Sequence, residues 1–577
     1  PPPLRGASGN MAPDKKQPVM LPSWVMDRSP TFATRVSCCE SGCWACLSIL
    51  GLRSRLLKTP SSFRSTNVVK ERFALSTPAH RKGTQVNLAS LLLCSNPERS
   101  LGEHYRIGRQ LGEGGFGSVF LARHTLSGED RAIKQVPKPG VAEDMNYVHN
   151  ELEAMLALDY PHVVKMFEFF EDDHMLYLAM ECCSGGDFSD LDMSDMIQVR
   201  TLFRDVFMAV SYCHDLGVAH RDLKFENCLV SKVPEQRPVG KVIDFGLSAI
   251  RRPEDGDAHL NEQVGTRYFV APEVVDLGIN YGVQVDMWSF GVMIYVLLTD
   301  EHPCAADAMH MATIPLFAAI RRGQIREEPL EEHEVEASAR KLLDGLLQKE
   351  QTRRLNAREA LDAEWLTPPC LHGGGSTPSS TKHSWSSKSC KPSAPETPEG
   401  GMNHKVANRI QGFSELSKFE RAVLTLAAHT AVAREVDDLR STFMDLDTQR
   451  NGSLSKDEIR EGLRRSGCLV AEDDLDKIFE ALDANGAGKV MYTEWLAATL
   501  QPSLLSSDRA IKQIYAFFDL ARDGRVTRQE LLQVLGDEQQ VDEIMARADT
   551  SKTGSLDEKE FRALLLDIAR GIEEKHA

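Results

Sequence analysis

The sequence predicts a two-lobed α+β domain followed by an all-α domain. Between Tyr105 and Leu366 the apolar pattern changes from short strands to longer helices. After a tract at 367–404 that is rich in Ser, Pro and Gly, the 3.6-residue period of amphipathic helices returns. The chain has 577 residues, which is more than a single hydrophobic core usually supports. We therefore expect two folded domains joined by a flexible linker at 367–404.

Residues 1–104 are expected to be mostly disordered, because they are rich in Pro, Ser and Arg and show no sustained period. A cysteine cluster and a basic patch lie within them: Cys38, Cys39, Cys43 and Cys46, then Arg53, Arg55 and Lys58. The adjacent pair Cys38-Cys39 fits a zinc site poorly. S-acylation beside the basic patch would hold the segment at a membrane surface, and an unstructured leader is the simpler alternative.

The composition restricts partners and location. The net charge is −17, although residues 1–104 carry 14 basic and 6 acidic side chains, so the rest of the chain is strongly acidic. An acidic body argues against nucleic acid as the main ligand and suits basic partners or cations. The 13 cysteines follow no regular disulfide spacing, which favours a reducing, cytoplasmic setting. We expect a monomer that reaches a membrane only through the N-terminal cysteines.

Five motifs between Gly112 and Glu273 carry residues suited to phosphoryl transfer. In chain order they are Gly112-Glu113-Gly114-Gly115-Phe116-Gly117-Ser118-Val119, Ala132-Ile133-Lys134, His220-Arg221-Asp222-Leu223-Lys224-Phe225-Glu226-Asn227, Asp244-Phe245-Gly246 and Ala271-Pro272-Glu273. A glycine triplet alone is a weak signal, since glycines also mark ordinary turns and dinucleotide sites. Five motifs in this order are typical of a protein kinase. They predict that the α+β domain at 105–366 has the bilobal protein kinase fold.

The motifs predict a pocket for ATP. Glycines without side chains let backbone amides approach the triphosphate, and Lys134 adds positive charge that Glu151 would hold in place. Glu181 to Cys183 would offer backbone hydrogen bonds to the adenine, with apolar side chains around it. The residues expected to bind the nucleotide are Leu111, Gly112, Gly114, Gly117, Val119, Ala132, Lys134, Glu151, Met180, Glu181, Cys183, Leu229 and Asp244.

The expected catalytic residues are Asp222, Lys224 and Asn227. Asp222 would orient the incoming hydroxyl and accept its proton, while Lys224 would neutralise charge on the moving phosphoryl group. A lysine two positions after this aspartate resembles Ser/Thr kinases rather than tyrosine kinases. Asn227 and Asp244 offer hard oxygen ligands for Mg²⁺.

The segment between Asp244 and Thr266 contains a single hydroxyl residue, Ser248, and several acids. A permanent carboxylate can therefore pair with Arg221, and phosphorylation of this segment is unnecessary.

Further charged residues are expected to brace the kinase domain or to select its substrates. Glu273 would pair with Arg354, and Asp286 would brace the catalytic loop. Asp187 and Glu226 would face the peptide groove and select basic residues near the target Ser or Thr, or would simply solvate the surface.

Four segments after Lys405 match the twelve-residue loop of an EF-hand. Such a loop needs oxygen donors at positions 1, 3 and 5, glycine at 6, an apolar residue at 8 and a bidentate acid at 12. The segments are Asp447–Glu458, Asp483–Glu494, Asp519–Glu530 and Asp549–Glu560, with starts separated by 36, 36 and 30 residues. This spacing indicates an internal repeat, so residues 435–577 are predicted to hold four EF-hands that bind Ca²⁺.

The four loops are expected to bind Ca²⁺ unequally. The expected ligands are Asp447, Gln449, Asn451, Ser453 and Glu458 in the first loop, Asp519, Asp523, Arg525 and Glu530 in the third, and Asp549, Ser551, Thr553, Ser555 and Glu560 in the fourth. Ala487 and Met491 replace donors in the second loop, where Asp483, Asn485 and Glu494 form a weak site. Apolar position-8 residues would pair across loops, Leu454 with Val490 and Val526 with Leu556.

With these residues in place, the chain over 105–577 resembles the calcium-dependent protein kinases of plants and apicomplexans. The basic and apolar residues from Val406 to Leu424 match the junction helix of that family. The resemblance implies a kinase domain, an autoinhibitory junction helix at 405–434 and a calmodulin-like domain at 435–577. It also implies that Ca²⁺ opens the EF lobes, which grip the junction and release a Ser/Thr kinase that uses Mg²⁺ and ATP.

Two other functions fit the same motifs. The EF-hands could recruit partners to a constitutive kinase, or the chain could be a calcium-binding adaptor with a silent kinase domain. Calcium-dependent phosphorylation of a Ser-containing basic peptide separates these functions.

Overall fold

The computed structural model describes residues 100–114, 117–138, 145–172, 174–250, 260, 262–276, 279–367 and 402–576. The N-terminal cysteine cluster and most of the predicted linker lie outside the described residues. Residues 101–104, at the end of the predicted N-terminal extension, form a short helix. The described residues of the regulatory part start at Met402, whose side chain is buried.

The N-terminal lobe is a five-stranded antiparallel sheet in the order β1-β2-β3-β5-β4, with one helix, α2, in the connection between β3 and β4. Residues two apart in a strand lie on the same face, so β3 carries Ala132 and Lys134 together on one face of the sheet, although residues 131–134 are all buried. The elements are α1 Leu101–His104, β1 Tyr105–Gly114, β2 Gly117–His124, β3 Asp130–Pro137, α2 Met145–Ala157, β4 Met166–Glu171 and β5 Met175–Glu181.

The C-terminal lobe is mainly helical around α5, a helix whose residues are nearly all buried. Short strand pairs, β6 with β9 and β7 with β8, hold the loops that carry the catalytic residues. The elements are α3 Met196–Asp215, β6 Val218–Ala219, β7 Cys228–Ser231, β8 Val239–Val242, β9 Ala249–Ile250, α4 Pro272–Val275, α5 Gln284–Thr299, α6 Thr313–Arg322, α7 Glu328–Glu332, α8 Ala337–Leu346 and α9 Ala357–Leu361.

The predicted single junction helix is wrong, because the segment forms two helices, α10 His404–Phe413 and α11 Lys418–Thr430. The break has a local cause. Ser417 starts α11 with a capping box: its hydroxyl accepts from Glu420 N at 3.3 Å, and the Glu420 carboxylate accepts from Ser417 N at 2.8 Å. The extended backbone of the capping residue interrupts the helical path.

The remaining residues form four helix–loop–helix units in two pairs. Each pair is closed by a short antiparallel contact, Leu454 with Val490 and Val526 with Leu556, as the sequence predicted. The elements are α12 Ala433–Leu446, α13 Lys456–Arg465, α14 Glu472–Leu482, α15 Tyr492–Thr499, α16 Asp508–Phe518, β10 Val526–Thr527, α17 Arg528–Leu535, α18 Glu538–Ala548, β11 Ser555–Leu556 and α19 Glu558–His576.

The junction lies between the two EF pairs. Helix α10 packs against α14, α15 and α19, and α11 packs against α15 and α16, so helices of both pairs contact the junction. Its apolar side chains are buried in this environment, and Phe419 lies 5.5 Å from Phe518 and 6.5 Å from Phe561 between ring centroids. The buried junction residues include Val406, Ala407, Ile410, Phe413, Leu416, Phe419, Val423, Leu424 and Leu426.

The regulatory part docks on the kinase domain through polar contacts. Asp159 accepts hydrogen bonds from Thr493 N at 2.8 Å and Thr493 Oγ1 at 2.9 Å. Additional contacts join Lys165 Nζ to Ala428 O (3.3 Å), His429 Nε2 to Phe167 O (3.1 Å), Arg450 to Asp362 (2.8 Å) and Arg509 to Glu129 (3.2 Å). Burial lowers the pKa of His429 to about 3, so its imidazole is neutral and donates to the carbonyl.

Candidate active site and calcium loops

The nucleotide loop is the turn between β1 and β2. Gly114 pairs with Gly117 across this hairpin, which brings the predicted glycines together. Gly117 has a φ of +144°, and a Cβ at this position would overlap the carbonyl oxygen of Gln135. Only glycine therefore fits at Gly117, and the backbone of the loop is left uncovered for a phosphate.

Lys134 occupies the centre of a buried ion cluster. Its ammonium contacts the Glu151 carboxylate and lies 2.8 Å from Asp244 Oδ1. Burial alone would lower the pKa of Lys134, but the carboxylates of Asp244 and Glu151 raise it above the usual range, so the charge is permanent. The predicted pair of Lys134 and Glu151 is thus present, and α2 is the helix that carries Glu151 to Lys134.

Residues predicted to surround the adenine lie around the end of β5. Ala132 and Met180 are register partners on adjacent strands and are both nearly buried. The side chain of Glu181 bonds Lys241 at 2.6 Å and its amide bonds Lys165 O at 2.8 Å. Within the described part of the chain, Cys183 makes no backbone hydrogen bond, so its peptide group can bond a base. Leu229 and Val119 are half-buried, and Leu111 is exposed.

The catalytic loop brings Asp222, Lys224 and Asn227 together. Asp222 Oδ2 accepts from Lys224 Nζ at 2.9 Å and from Asn227 Nδ2 at 3.1 Å. Asn227 Nδ2 also donates to Asp222 O at 2.7 Å, which leaves the amide oxygen of Asn227 to face a metal together with Asp244. This pair of hard oxygen donors fits Mg²⁺.

Thr266 was missed by the sequence reasoning, although it is part of this site. Its hydroxyl donates to Asp222 Oδ1 at 2.7 Å and accepts from Lys224 Nζ at 3.1 Å. It therefore occupies the place where a substrate hydroxyl would meet Asp222. The only signal in the sequence was a Gly-Thr pair shortly before Ala271-Pro272-Glu273.

The backbone at Arg221 is strained, with a φ of +67°. Asp286 holds it there by accepting from His220 N at 2.9 Å and from Arg221 N at 2.8 Å, which confirms the predicted brace. The Arg221 guanidinium lies 2.9 Å from the Glu262 carboxylate. This contact confirms that a permanent acid of the activation segment can pair with Arg221.

Two other predicted arrangements are present. Glu273 and Arg354 form a buried bidentate pair at 2.6 and 3.0 Å. Asp187 caps a short helical turn by accepting from Ser189 N at 2.8 Å, so part of its role is structural. Glu226 is different, because one of its carboxylate oxygens is buried and has no hydrogen-bond partner among the residues that the structure describes. Burial raises the pKa of Glu226 to about 7.

All four calcium loops share one hydrogen-bond pattern. The aspartate at position 1 accepts from the amides of positions 5 and 6, and the glutamate at position 12 accepts from the amides of positions 3 and 9. The position-1 bonds to the position-6 glycine measure 2.7, 2.8, 3.0 and 2.8 Å in chain order. The glycines Gly452, Gly488, Gly524 and Gly554 all have φ between +72° and +78°. Each loop is therefore wrapped around the centre where Ca²⁺ would lie.

The donors around that centre are unequal. The first and fourth loops keep an oxygen-bearing side chain at each predicted position, and position 7 offers its backbone carbonyl (Ser453, Arg525 and Ser555 in loops one, three and four). Ala521 and Ala487 keep the backbone conformation but supply no oxygen. In the second loop, burial raises the pKa of Glu494 to about 8.

Comparison with known proteins agrees with this geometry. The family model for the protein kinase domain matches residues 105–366, and that for an EF-hand domain pair matches residues 436–500. Calcium-dependent protein kinase 32 of Arabidopsis thaliana is 30% identical over 488 residues, which cover 82% of this chain and 84% of that protein. Calcium-dependent protein kinase 16 of Oryza sativa subsp. japonica is 31% identical over 478 residues, 80% of this chain and 81% of that protein. The chain belongs to the calcium-dependent protein kinase family.

Membership confirms the predicted fold class and the predicted activity. The chain is a calcium-regulated Ser/Thr protein kinase that uses ATP and Mg²⁺ and binds Ca²⁺ through its EF-hands. No helix among the described residues is long and apolar enough to cross a membrane.

Proposed function

We propose that this kinase phosphorylates Ser or Thr near basic residues of proteins when its EF lobes, loaded with Ca²⁺, hold the junction away from the active site. The position of the junction carries the proposal. The apolar face of α10 and α11 is buried between the EF pairs. The polar contacts of the junction with the kinase domain are at Lys165 and Phe167, neither of which belongs to the phosphoryl-transfer residues.

The chain's own residues explain how this state works on a substrate. Bound ATP supplies the phosphoryl group, and bound Mg²⁺ supplies positive charge beside it. Lys134 positions the phosphates, Asp222 accepts the proton of the attacking hydroxyl, and Lys224 offsets the negative charge that develops. A substrate hydroxyl would take over the Thr266 contact with Asp222. The pairing of Arg221 with Glu262 makes the site ready without phosphorylation of the activation segment.

Glu226 supports the preference for basic substrates. One buried oxygen of Glu226 has no hydrogen-bond partner among the described residues, and the carboxylate of Asp187 adds negative charge nearby. Both features favour a cation at this point. An arginine or lysine of the peptide would satisfy that oxygen through a charge-assisted hydrogen bond. We infer that one basic residue close to the target Ser or Thr binds here.

The decisive experiment measures phosphorylation of a Ser-containing basic peptide by the full chain. We expect activity with Ca²⁺, almost none with a calcium chelator, and none with Asp222→Ala in either condition. Equal activity in Ca²⁺ and chelator would contradict the regulation and support a constitutive kinase. Loss of all activity in the unmodified chain would support a silent adaptor.

The proposed location rests on the N-terminal sequence alone. We propose a cytoplasmic monomer whose cysteines at positions 38, 39, 43 and 46 carry acyl chains beside basic residues and so reach a membrane surface. Replacement of these four cysteines by serine should release the chain into the soluble fraction of a cell. A wild-type chain that is already soluble would contradict membrane association.

A further inference from the structure

We propose that His104, His124 and Glu168 form a binding site for Zn²⁺ between the N-terminal lobe and the third calcium loop. The three residues come from different elements, namely α1, the end of β2 and β4. One ligand atom from each residue lies within 4.8 Å of the others. Both histidines are buried, with 7% and 8% of their surface exposed. The fold therefore brings three metal-ligating side chains together that are far apart in the sequence.

The chemistry of the set favours zinc. Two imidazoles and one carboxylate are a ligand combination that suits Zn²⁺, whereas Ca²⁺ and Mg²⁺ prefer oxygen ligands alone. The site is thus distinct in kind from the EF loops and from the Mg²⁺ ligands of the active site.

Neighbouring groups orient the ligands. The Ser127 hydroxyl lies 2.9 Å from His124 Nδ1 and the Ser127 amide donates to the same nitrogen at 3.3 Å, so His124 ligates a metal through Nε2 after its proton moves to Nδ1 and points at the hydroxyl. His124 Nε2 faces Glu168 Oε1 at 3.9 Å. The Tyr105 hydroxyl donates to Glu168 Oε1 at 2.7 Å. Hydrogen bonds of this kind fix the ring and carboxylate orientations at metal sites.

A cavity adjoins the three side chains. It has a volume of about 100 Å³, enough for an ion and a water molecule, and it is also lined by Gln513 and Arg522. The side-chain oxygen of Gln513 is buried without a hydrogen-bond partner among the described residues. This oxygen can complete the coordination or accept a hydrogen bond from a water on the metal.

Arg522 competes with a metal for His104. It occupies position 4 of the third calcium loop, and its Nη1 lies 2.5 Å from His104 Nε2. A neutral imidazole has one nitrogen lone pair, so His104 uses it either to accept a hydrogen bond from Arg522 or to ligate a metal. Arg131 also lines this cavity, and its guanidinium lies over the Phe167 ring at 3.9 Å from the ring centroid. We therefore expect Zn²⁺ to displace Arg522 and to loosen the contact between the third loop and the N-terminal lobe.

The test uses the full chain with its EF loops saturated by Ca²⁺. Zn²⁺ is titrated against a chromophoric chelator, and Co²⁺ replaces Zn²⁺ for visible spectroscopy. We expect tetrahedral d–d bands without thiolate charge transfer, and a loss of affinity of about tenfold or more in His124→Gln and Glu168→Gln. His310→Gln is the matched control, because His310 is an exposed imidazole 2.7 Å from Asp307, and its Zn²⁺ affinity should equal that of the wild type.

The competition between Arg522 and Zn²⁺ predicts a gain of Zn²⁺ affinity in one variant, where the ligand variants lose it. Arg522→Gln should bind Zn²⁺ several-fold more tightly, whereas Arg528→Gln, an exposed arginine paired with Asp542 in the following helix, should not. Thermal unfolding of each variant checks that it is folded, and the Arg522 comparison stands even if a ligand variant does not fold. Tetrahedral d–d bands that persist unchanged in His124→Gln, equal affinities in wild type and ligand variants, or weaker binding by Arg522→Gln would overturn the proposal.

Discussion

At the residue scale, the activation segment places a carboxylate where phosphate would otherwise act. Glu262 is exposed and contacts the buried Arg221, whose backbone conformation is strained. We expect Glu262→Gln to lower kcat in saturating Ca²⁺ by about threefold to tenfold, since the lost charge-assisted hydrogen bond would free the Arg221 side chain. Steady-state kinetics with a basic peptide would measure the change.

The control for this substitution is Glu332→Gln, at an exposed carboxylate of α7. It should leave kcat unchanged. A fall of similar size in both variants would show that the loss at Glu262 is a general effect on the fold.

The raised pKa of Glu226 predicts that the KM for a basic peptide depends on pH. Because its pKa is about 7, the carboxylate is charged above that pH and neutral below it. The KM for an arginine-containing peptide should rise as the pH falls from about 8 to about 6, by up to about tenfold, because the neutral acid no longer attracts the guanidinium. A Glu226→Gln variant should have the higher KM throughout and a flat profile, and a profile unchanged from the wild type would contradict this role.

Much of the active site could be predicted from the sequence, because each motif combines chemistry with a fixed position in the chain. Lys134, Asp222, Lys224 and Asp244 belong to such motifs, and the structure pairs Lys134 with Asp244 and Lys224 with Asp222. Thr266 could not be predicted in the same way, because its contact with Asp222 depends on how the activation segment folds back over the catalytic loop. A hydroxyl residue in a loop carries no periodic signal.

At the element scale, the first and fourth calcium loops share their backbone but differ in surroundings. A Cβ at Gly452 would overlap the Tyr212 ring of the kinase domain, whereas one at Gly554 would have no atom within 4 Å. Their φ values are +72° and +77°, so the substitution strains both loops alike, by about 1 kcal/mol. We expect Gly452→Ala to raise the Ca²⁺ concentration for half-maximal activity more than Gly554→Ala does.

Both variants strain their loops alike, so the difference between their Ca²⁺ concentrations for half-maximal activity reports the contact of the first loop with Tyr212. Calcium titrations of kinase activity measure it, and Ca²⁺ binding to the separate variants by calorimetry shows the strain itself. Equal shifts in activity would mean that the contact between the first loop and Tyr212 has no part in activation.

The regular parts of these elements followed from the sequence, and the irregular parts did not. Loop positions 6 and 8 have fixed roles, so the glycines and the Leu454–Val490 pair were predictable. The break between α10 and α11 was not, because an amphipathic period continues through it and the capping box at Ser417 competes with that pattern. Which helices would receive the junction depends on long-range packing.

At the scale of the whole molecule, the kinase domain and the regulatory part meet at Asp159 and Thr493. Both oxygens of the carboxylate accept bonds from Thr493. On the proposed mechanism, Asp159→Ala should raise the Ca²⁺ concentration for half-maximal activity by about tenfold, the equivalent of a charge-assisted hydrogen bond of roughly 1.4 kcal/mol, with kcat at saturating Ca²⁺ unchanged.

A double-mutant cycle with Thr493→Val tests whether the two residues act together. The effects should be less than additive if the contact forms in the active state. Asp307→Ala, at an exposed aspartate that pairs with His310, is the control and should not shift the calcium dependence. Additive effects of Asp159→Ala and Thr493→Val would contradict the proposed coupling.

Thr493 is position 11 of the second calcium loop, the loop that has lost donors at Ala487 and Met491. The loop still folds, since its backbone hydrogen bonds do not depend on those side chains. The loop therefore has two separable tasks, binding a cation and docking on the kinase domain. Substitutions at 487 and 491 weaken only the first task, whereas a change at 493 removes the contact with Asp159. A loop with few cation ligands is still needed for docking.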